Sequence, residues 1–258
     1  MENLKAAQVS ASTSSMTSSE SLADYDLGGV DCPRCGNTGQ LIEKGPALLE
    51  LHVYECPCMR QRRSLRSLRK AGMEDMARRY TLDSYTANTP HREKVKAAAE
   101  RFILAGTGWF FIAGQTGSGK THICTAICTA LMEGQSGEVY FMPWCDESTA
   151  LKAEVTDKEK YEVHMKKLQT VPVLYIDDLF KTPADETGKI HPPTSADVRL
   201  AFQLLNARYN DTALRTIISS EKTIEQIAKI DEAIGGRIYE RSRGFAVMAP
   251  SENWRFLA

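Results

Sequence analysis

The sequence predicts an α/β fold, a parallel sheet between two layers of helices, preceded by a small cysteine-rich module. From about Tyr80 onward, short apolar runs alternate with helical patterns, the signature of a parallel sheet covered on both faces. An apolar strand pattern at 109–113 leads through a glycine-rich turn directly into a helical run. Upstream of this pattern, four of the seven cysteines crowd into positions 32–58.

In chain order, residues 1–28 are rich in serine and threonine and poor in large apolar residues, so they read as a disordered arm. Residues 29–59 hold the cysteine cluster. Residues 60–79 carry Arg60, Arg62, Arg63, Arg66, Arg69, Lys70, Arg78 and Arg79, with Leu65 and Leu68 as a thin apolar stripe at helical spacing, and read as a basic linker helix. Residues 80–258 form the α/β domain. Within it the pattern predicts a helix at 92–105, a strand at 109–113, a helix at 120–132 and a strand at 138–142. Charged helical sequence at 146–169 follows, then a buried strand at 171–176. A long helix at 195–210 has Leu200, Leu204 and Leu205 among its apolar positions. A strand at 215–219, short helices at 223–229 and 231–242, and a last strand at 245–248 complete it. No internal repeat is visible.

With 42% apolar and 25% charged residues, the chain can bury one good-sized core and leave room for an accessory module. It has neither a run of the roughly 18 apolar residues needed to span a membrane nor the basic-then-apolar order of a secretory signal, which predicts a cytoplasmic protein. A net charge of -1 means that a nucleic-acid partner needs a local basic patch. Cys124 and Cys128, one helical turn apart, read as core thiols.

The turn at Gly114-Gln115-Thr116-Gly117-Ser118-Gly119-Lys120-Thr121 satisfies G-x-x-x-x-G-K-[ST], preceded by a strand and followed by a helix as that motif requires. Glycines let successive backbone N–H groups point inward at phosphate oxygens, and the helix directs its positive end to the same place. Lys120 is expected to reach the β- and γ-phosphates of ATP, and Thr121 to ligate Mg²⁺. Asp177 and Asp178 end another apolar strand, the first as the Mg²⁺-side carboxylate and the second to polarise the attacking water. Hydrolysis also needs positive charge at the transition state. Arg237 and Arg241, on one face of the helix predicted at 231–242, are both candidates for an arginine finger.

Cys32-Pro33-Arg34-Cys35-Gly36 has the form of a metal knuckle, and Cys56-Pro57-Cys58 supplies a second thiolate pair after a loop or hairpin. Cys32, Cys35, Cys56 and Cys58 are expected to hold Zn²⁺ in a closed structural site, with His52 as a substitute ligand. A module this small folds only with such a staple.

From about Tyr80 to Arg255 these residues together resemble the helicase-loader branch of the P-loop AAA+ class, comprising DnaC, DnaI and the transposition helper IstB, in the versions carried by phages and mobile elements. The resemblance runs through Arg79-Tyr80-Thr81-Leu82, Asp177-Asp178-Leu179-Phe180, Asn206-Ala207-Arg208-Tyr209, Thr216-Ile217-Ile218-Ser219-Ser220, Asp231 to Ile238 with its Gly235-Gly236-Arg237 step, and Asn253-Trp254-Arg255. It implies an AAA+ core without a C-terminal lid domain, slow switch-like ATP hydrolysis, Arg241 as the finger, and Ser219 and Ser220 at the end of the sensor strand, with Ser220 among the catalytic residues. Glu221 departs from the asparagine often found after those serines, and Asp178 from the more usual glutamate. The implied function is a replicative helicase loader or loader-like replication factor. It would self-assemble through the AAA+ domain and contact a hexameric replicative DNA helicase through residues 1–79. Single-stranded DNA would be engaged through Lys152, Lys158, Lys160, Lys166 and Lys167. The alternatives are an IstB-type transposition helper and a nucleotide-regulated adaptor with little hydrolysis.

Overall fold

The computed structural model describes residues 31–45, 50–134, 137–182 and 184–250. The serine-rich arm at 1–28, the first two residues of the cysteine module and Asn253-Trp254-Arg255 lie outside the described residues. After the first cysteine pair, β1 (Gln40–Lys44) and β2 (Leu51–Glu55) pair antiparallel, with Ile42 opposite Val53. The second pair then leads into α1 (Cys58–Lys70). The basic stretch is two helices rather than one: α2 (Glu74–Arg79) follows a break at 71–73, where Gly72 takes φ 66°.

The domain beyond runs α3 (Pro90–Ala105), β3 (Trp109–Ala113), α4 (Lys120–Glu133), β4 (Val139–Pro143), α5 (Trp144–Glu154), α6 (Lys158–Thr170), β5 (Val173–Asp177), α7 (Ser195–Asn210), β6 (Arg215–Ser220), α8 (Ile224–Ile230), α9 (Glu232–Arg241) and β7 (Ala246–Met248). Local chemistry sets many of these boundaries. Thr89 caps α3 with Pro90 in its first turn, Thr194 and Asp197 form a capping box on α7, and Thr223 and Gln226 form another on α8. Asp157 caps α6 and so divides the charged stretch into two helices.

The five strands form one parallel sheet in the order β4-β5-β6-β3-β7. Alternate residues of each strand feed the two faces, as the pleat demands. Trp109, Phe111, Tyr140, Met142, Leu174 and Ile176 pack with residues of α5 to α9, whereas Phe110, Ile112, Phe141, Val173 and Tyr175 pack with residues of α1, α3 and α4. Consecutive strands β3 and β4 lie apart, with β5 and β6 inserted between them. The crevice that this reversal opens, at the carboxyl ends of β3, β5 and β6, is where α/β sheets bind ligands.

Strand β4 is an edge of the sheet, and α1 covers it. Val139 N donates to Ser64 Oγ at 2.8 Å and Phe141 N to Ser67 Oγ at 2.7 Å. Two serines one turn apart on a helix thus replace the missing neighbouring strand for the amides that β5 cannot reach. Arg63 then bridges Glu55 of the hairpin to Glu138, and Lys70 pairs with the buried Glu147 of α5 at 2.7 Å. Among the described residues no helix is long and apolar enough to cross a membrane.

Candidate nucleotide site and cysteine centre

The glycine-rich turn joins β3 to α4 at the ligand-binding end of the sheet. Gly117 and Gly119 take φ 81° and 87°, values open to glycine and costly for other residues. At Gly114 a Cβ would lie 2.7 Å from Ala249 Cβ and 3.0 Å from Ser118 Oγ, so only glycine fits between the loop and the chain after β7. Gly114 N donates to Ser220 O at 3.0 Å, which ties the loop to β6. Gln115 O accepts from Ser118 Oγ at 2.7 Å, and Lys120 Nζ donates to Gly114 O and Gln115 O at 2.8 and 3.0 Å. The Lys120 side chain therefore curls back over its own loop, a position from which it can turn to a phosphate. Helix α4 has Gly119 at its N-cap and no side-chain cap, leaving its first N–H groups to an incoming anion.

Asp177 and Asp178 end β5 beside this loop. Asp177 Oδ1 accepts from Ser219 Oγ at 2.7 Å and from Tyr175 OH, and lies 3.5 Å from Thr121 Oγ1. Burial, and then the charge of Asp178, raise the Asp177 carboxyl above its ordinary value. Thr121 and Asp177 together offer the hard oxygen donors that Mg²⁺ takes. Asp178, at φ 57°, has Oδ2 on Lys181 Nζ at 2.7 Å, while its buried Oδ1 has no hydrogen-bond partner among the described residues and faces Lys120 Nζ at 3.8 Å. A buried carboxylate oxygen left open beside a phosphate loop fits a site made to hold another polar group.

Successive strand residues point to opposite sides, and this separates the two serines of β6. Ser219 Oγ binds Asp177 and also accepts from Asp178 N at 2.8 Å. Ser220 donates its hydroxyl to Leu179 O at 2.8 Å, so Ser219, rather than Ser220, touches the paired carboxylates. Past β6, Glu221 Oε1 accepts from the Thr116 hydroxyl at 2.5 Å and lies 3.2 Å from Lys181 Nζ. Burial works against the Lys181 charge, but Asp178 and Glu221 outweigh it and hold its pKa above the usual lysine value. Reading by motif does not reach Lys181; it places Ser219 and Ser220 together at the end of the sensor strand, and strand parity decides which of them meets the carboxylates.

Arg237 and Arg241 both lie on α9 and differ in how firmly they are held. Arg237 donates to Asn206 Oδ1 at 2.7 Å and Ala233 O at 2.9 Å and stacks over Phe202 and Tyr209. Arg241 makes only long contacts, 3.4 to 3.5 Å, to the carbonyls of Asp211, Thr212 and Leu214, and lies over Trp109. Trp109 opens β3, while the phosphate loop follows its other end. Arg241 and its own chain's phosphate loop therefore lie toward opposite ends of β3, a five-residue strand about 15 Å long. Of the helical lysines, Lys152 pairs with Asp197 at 2.8 Å, Lys160 with Asp157 at 3.0 Å and Lys158 with Glu162 at 3.7 Å. Lys167 lies over the Tyr140 ring, and Lys166 is exposed on α6.

The four N-terminal cysteines converge. The sulfurs of Cys32, Cys35, Cys56 and Cys58 all lie within 4.8 Å of one another, with Cys32 to Cys56 at 3.8 Å and Cys35 to Cys58 at 3.7 Å. A tetrahedron with metal–sulfur bonds of about 2.3 Å has edges of about 3.8 Å, so the cluster fits a thiolate-bound Zn²⁺. His52 is not part of it: its ring lies on β2, 3.3 Å from Glu50 and stacked on Tyr54. Arg62 of α1 donates to Asn37 Oδ1 at 3.1 Å, joining the first knuckle to the helix that starts at Cys58. Cys124 and Cys128 are fully buried in α4, and burial pushes both thiols well up, as befits core residues.

Comparison with known proteins accords with this architecture. The chain is 31% identical over 238 residues to the phage-like element PBSX protein XkdC of Bacillus subtilis (strain 168), covering 88% of this chain and 85% of that protein. It is also 31% identical to the uncharacterized protein YqaM of the same organism, over 87% of this chain and 69% of that protein. Among solved structures it is similar in fold to the DnaC helicase loader (TM-score 0.56, 21% identity, 66% of this chain and 97% of that chain). DnaI is similar too, at TM-score 0.52 and 20% identity over 69% of this chain and 92% of that one. The family model for IstB-like ATP binding protein matches residues 46–241, from the cysteine hairpin through the phosphate loop and paired aspartates to Arg241, and the chain belongs to that family.

Proposed function

We propose that this protein is an ATP-hydrolysing helicase loader, or a loader-like replication factor of phage or mobile-element type, that binds a hexameric replicative helicase and single-stranded DNA. The observation that carries the reading is the way a four-cysteine module is built onto an IstB-like ATP-binding core. Its second cysteine pair opens α1, and α1 is bonded through Ser64 and Ser67 to the sheet that carries the nucleotide site. Such a module can present a partner-binding surface whose position follows the state of the core. The fold shared with the DnaC helicase loader supports the choice of partner.

In this mechanism the backbone of residues 114–119 and the Lys120 ammonium take the phosphates of ATP. Thr121 and Asp177 hold Mg²⁺, which supplies charge neutralisation at the phosphates. Asp178 orients the attacking water, and Arg241 is offered to the site of a neighbouring copy. Zn²⁺ on Cys32, Cys35, Cys56 and Cys58 staples the module, and exposed lysines of α6 contact the DNA backbone. Membership of the IstB-like family, with the resemblance to the transposition helper IstB, also supports a second reading, a transposition helper that contacts a transposase.

The deciding experiment is a pull-down with the full chain and ATP, offered a hexameric replicative helicase and a transposase separately. Retention of the helicase with ATP, and its loss with Lys120→Ala, is the expected result. Retention of the transposase alone would replace the first reading with the second.

A further inference from the structure

We infer that Lys181 is a further phosphate-contacting residue of this site, the group that senses the terminal phosphate and distinguishes a nucleoside triphosphate from a diphosphate. The inference rests on the ATP-site reading above. Glu221 follows β6 and touches Thr116 of the phosphate loop at 2.5 Å, so a carboxylate stands at the mouth of a site that takes anions. Unneutralised, it would repel the terminal phosphate.

Lys181 removes that repulsion. Its ammonium lies 3.2 Å from Glu221 Oε1 and 2.7 Å from Asp178 Oδ2, while Lys120 Nζ lies 3.8 Å from the other oxygen of Asp178. Two ammoniums thus flank one carboxylate. That separation also lets two cations flank one phosphoryl group through charge-assisted hydrogen bonds of about 2.8 Å. The backbone around Lys181 is firmly set. Asp178 and Phe180 both adopt left-handed φ, 57° and 62°, and Lys181 N closes the turn on Asp178 O at 2.9 Å. Phe180 is fully buried edge-on to Trp144, and Cys145 Sγ donates to Lys181 O at 3.2 Å. Left-handed non-glycine residues held by surrounding packing cluster at functional sites. The Lys181 side chain, at 36% exposure, remains free to swing on its flexible stem from the two carboxylates to a phosphate without backbone movement. Glu221 and Lys181 together then do what a neutral donor after the sensor serines would do: the acid holds the cation in place, and the cation makes the contact.

The test is a fluorescent-nucleotide competition with Mg²⁺ on the full-length protein, comparing a non-hydrolysable ATP analogue with ADP. Lys181→Met is expected to weaken the triphosphate by about 10-fold while ADP affinity stays within about 2-fold, and Lys181→Arg to keep most of the discrimination. A purely structural role in the turn would change both nucleotides alike. Equal losses, or no loss for either, would overturn the assignment. Lys181→Gln carries the same comparison should the Met variant fail to fold. Lys120→Ala separates the two readings. Loss of both nucleotides in that variant establishes the ATP site independently of Lys181, whereas undiminished binding would remove the ATP site and the Lys181 role with it.

Discussion

Lys120 and Asp178 face each other across 3.8 Å, and the proposed mechanism gives them separable jobs. Lys120 compensates phosphate charge in the ground state, so Lys120→Ala is expected to abolish tight ATP binding. Asp178 acts on the water, so Asp178→Asn should bind ATP within a few-fold of wild type and hydrolyse it about 100-fold more slowly. Nucleotide titration beside phosphate release checks both, and equal loss of binding in the two variants would remove the role given to Asp178. At this scale the phosphate loop and paired aspartates were legible because their chemistry fixes residue type and spacing together. Lys181 was not, because it belongs to no fixed spacing, and Ser219 was named without being told apart from Ser220. Ser219 reaches Asp177 through its neighbouring strand, and Lys181 reaches Glu221 only once two distant segments meet at the end of the sheet. Arg208 stands in a quoted motif, but its role shows only in the fold. It is fully buried and donates to the carbonyls of Leu168, Val171 and Arg215, and burial lowers its pKa to about 9, which still leaves it charged at neutral pH.

Elements of the sheet could be read nearly to the residue where an apolar run has polar or glycine boundaries, as at Trp109–Ala113. The strand expected from 171 starts instead at Val173, because Pro172 has no N–H for the ladder, and it runs on to Asp177. What local pattern does not carry is where α1 sits, since serines within a basic helix look like ordinary solvated positions. Their bonds to Val139 and Phe141 make a specific claim. Ser67→Ala strands the buried Phe141 amide and should cost about 1–3 kcal/mol in chemical denaturation. A loss below about 0.5 kcal/mol would mean that water replaces the hydroxyl. The module that leads into α1 should retain about one zinc per chain by metal analysis. Four freely titrating thiols among Cys32, Cys35, Cys56 and Cys58, without metal, would exclude that site. For α6, ion pairs occupy Lys158 and Lys160 but leave Lys166 exposed and Lys167 against Tyr140. Reversing Lys166 and Lys167 to Glu should weaken single-strand binding and reduce its salt slope by about 0.7 for each phosphate no longer neutralised. An unchanged slope would move the DNA surface to the arginines of α1.

On the scale of the whole molecule, the decisive relation is between the two ends of the sheet. The phosphate loop lies past the carboxyl end of β3, and Arg241 lies at the amino end, over Trp109 and beside Leu214. A guanidinium at one end of a strand is poorly placed to reach the loop at the other, and the proposed mechanism therefore offers Arg241 to the ATP site of another copy. Its long contacts to three carbonyls leave it available for that, whereas Arg237 is committed to Asn206 and the rings of α7. A planar guanidinium suits phosphoryl oxygens in a way that lysine does not. Arg241→Ala is therefore expected to bind ATP nearly normally, to lose hydrolysis by about 10³-fold, and to lose ATP-dependent assembly. Mixing decides whether the site is shared. Arg241→Ala chains retain a sound phosphate loop and Lys120→Ala chains a sound finger, so a mixed assembly contains interfaces with both intact. Partial recovery of ATPase activity on mixing two inactive variants is the expected outcome. Absence of recovery, with light scattering showing that the variants co-assemble, would rule out Arg241 as the finger, and Arg237 would then have to break its bond to Asn206 to serve.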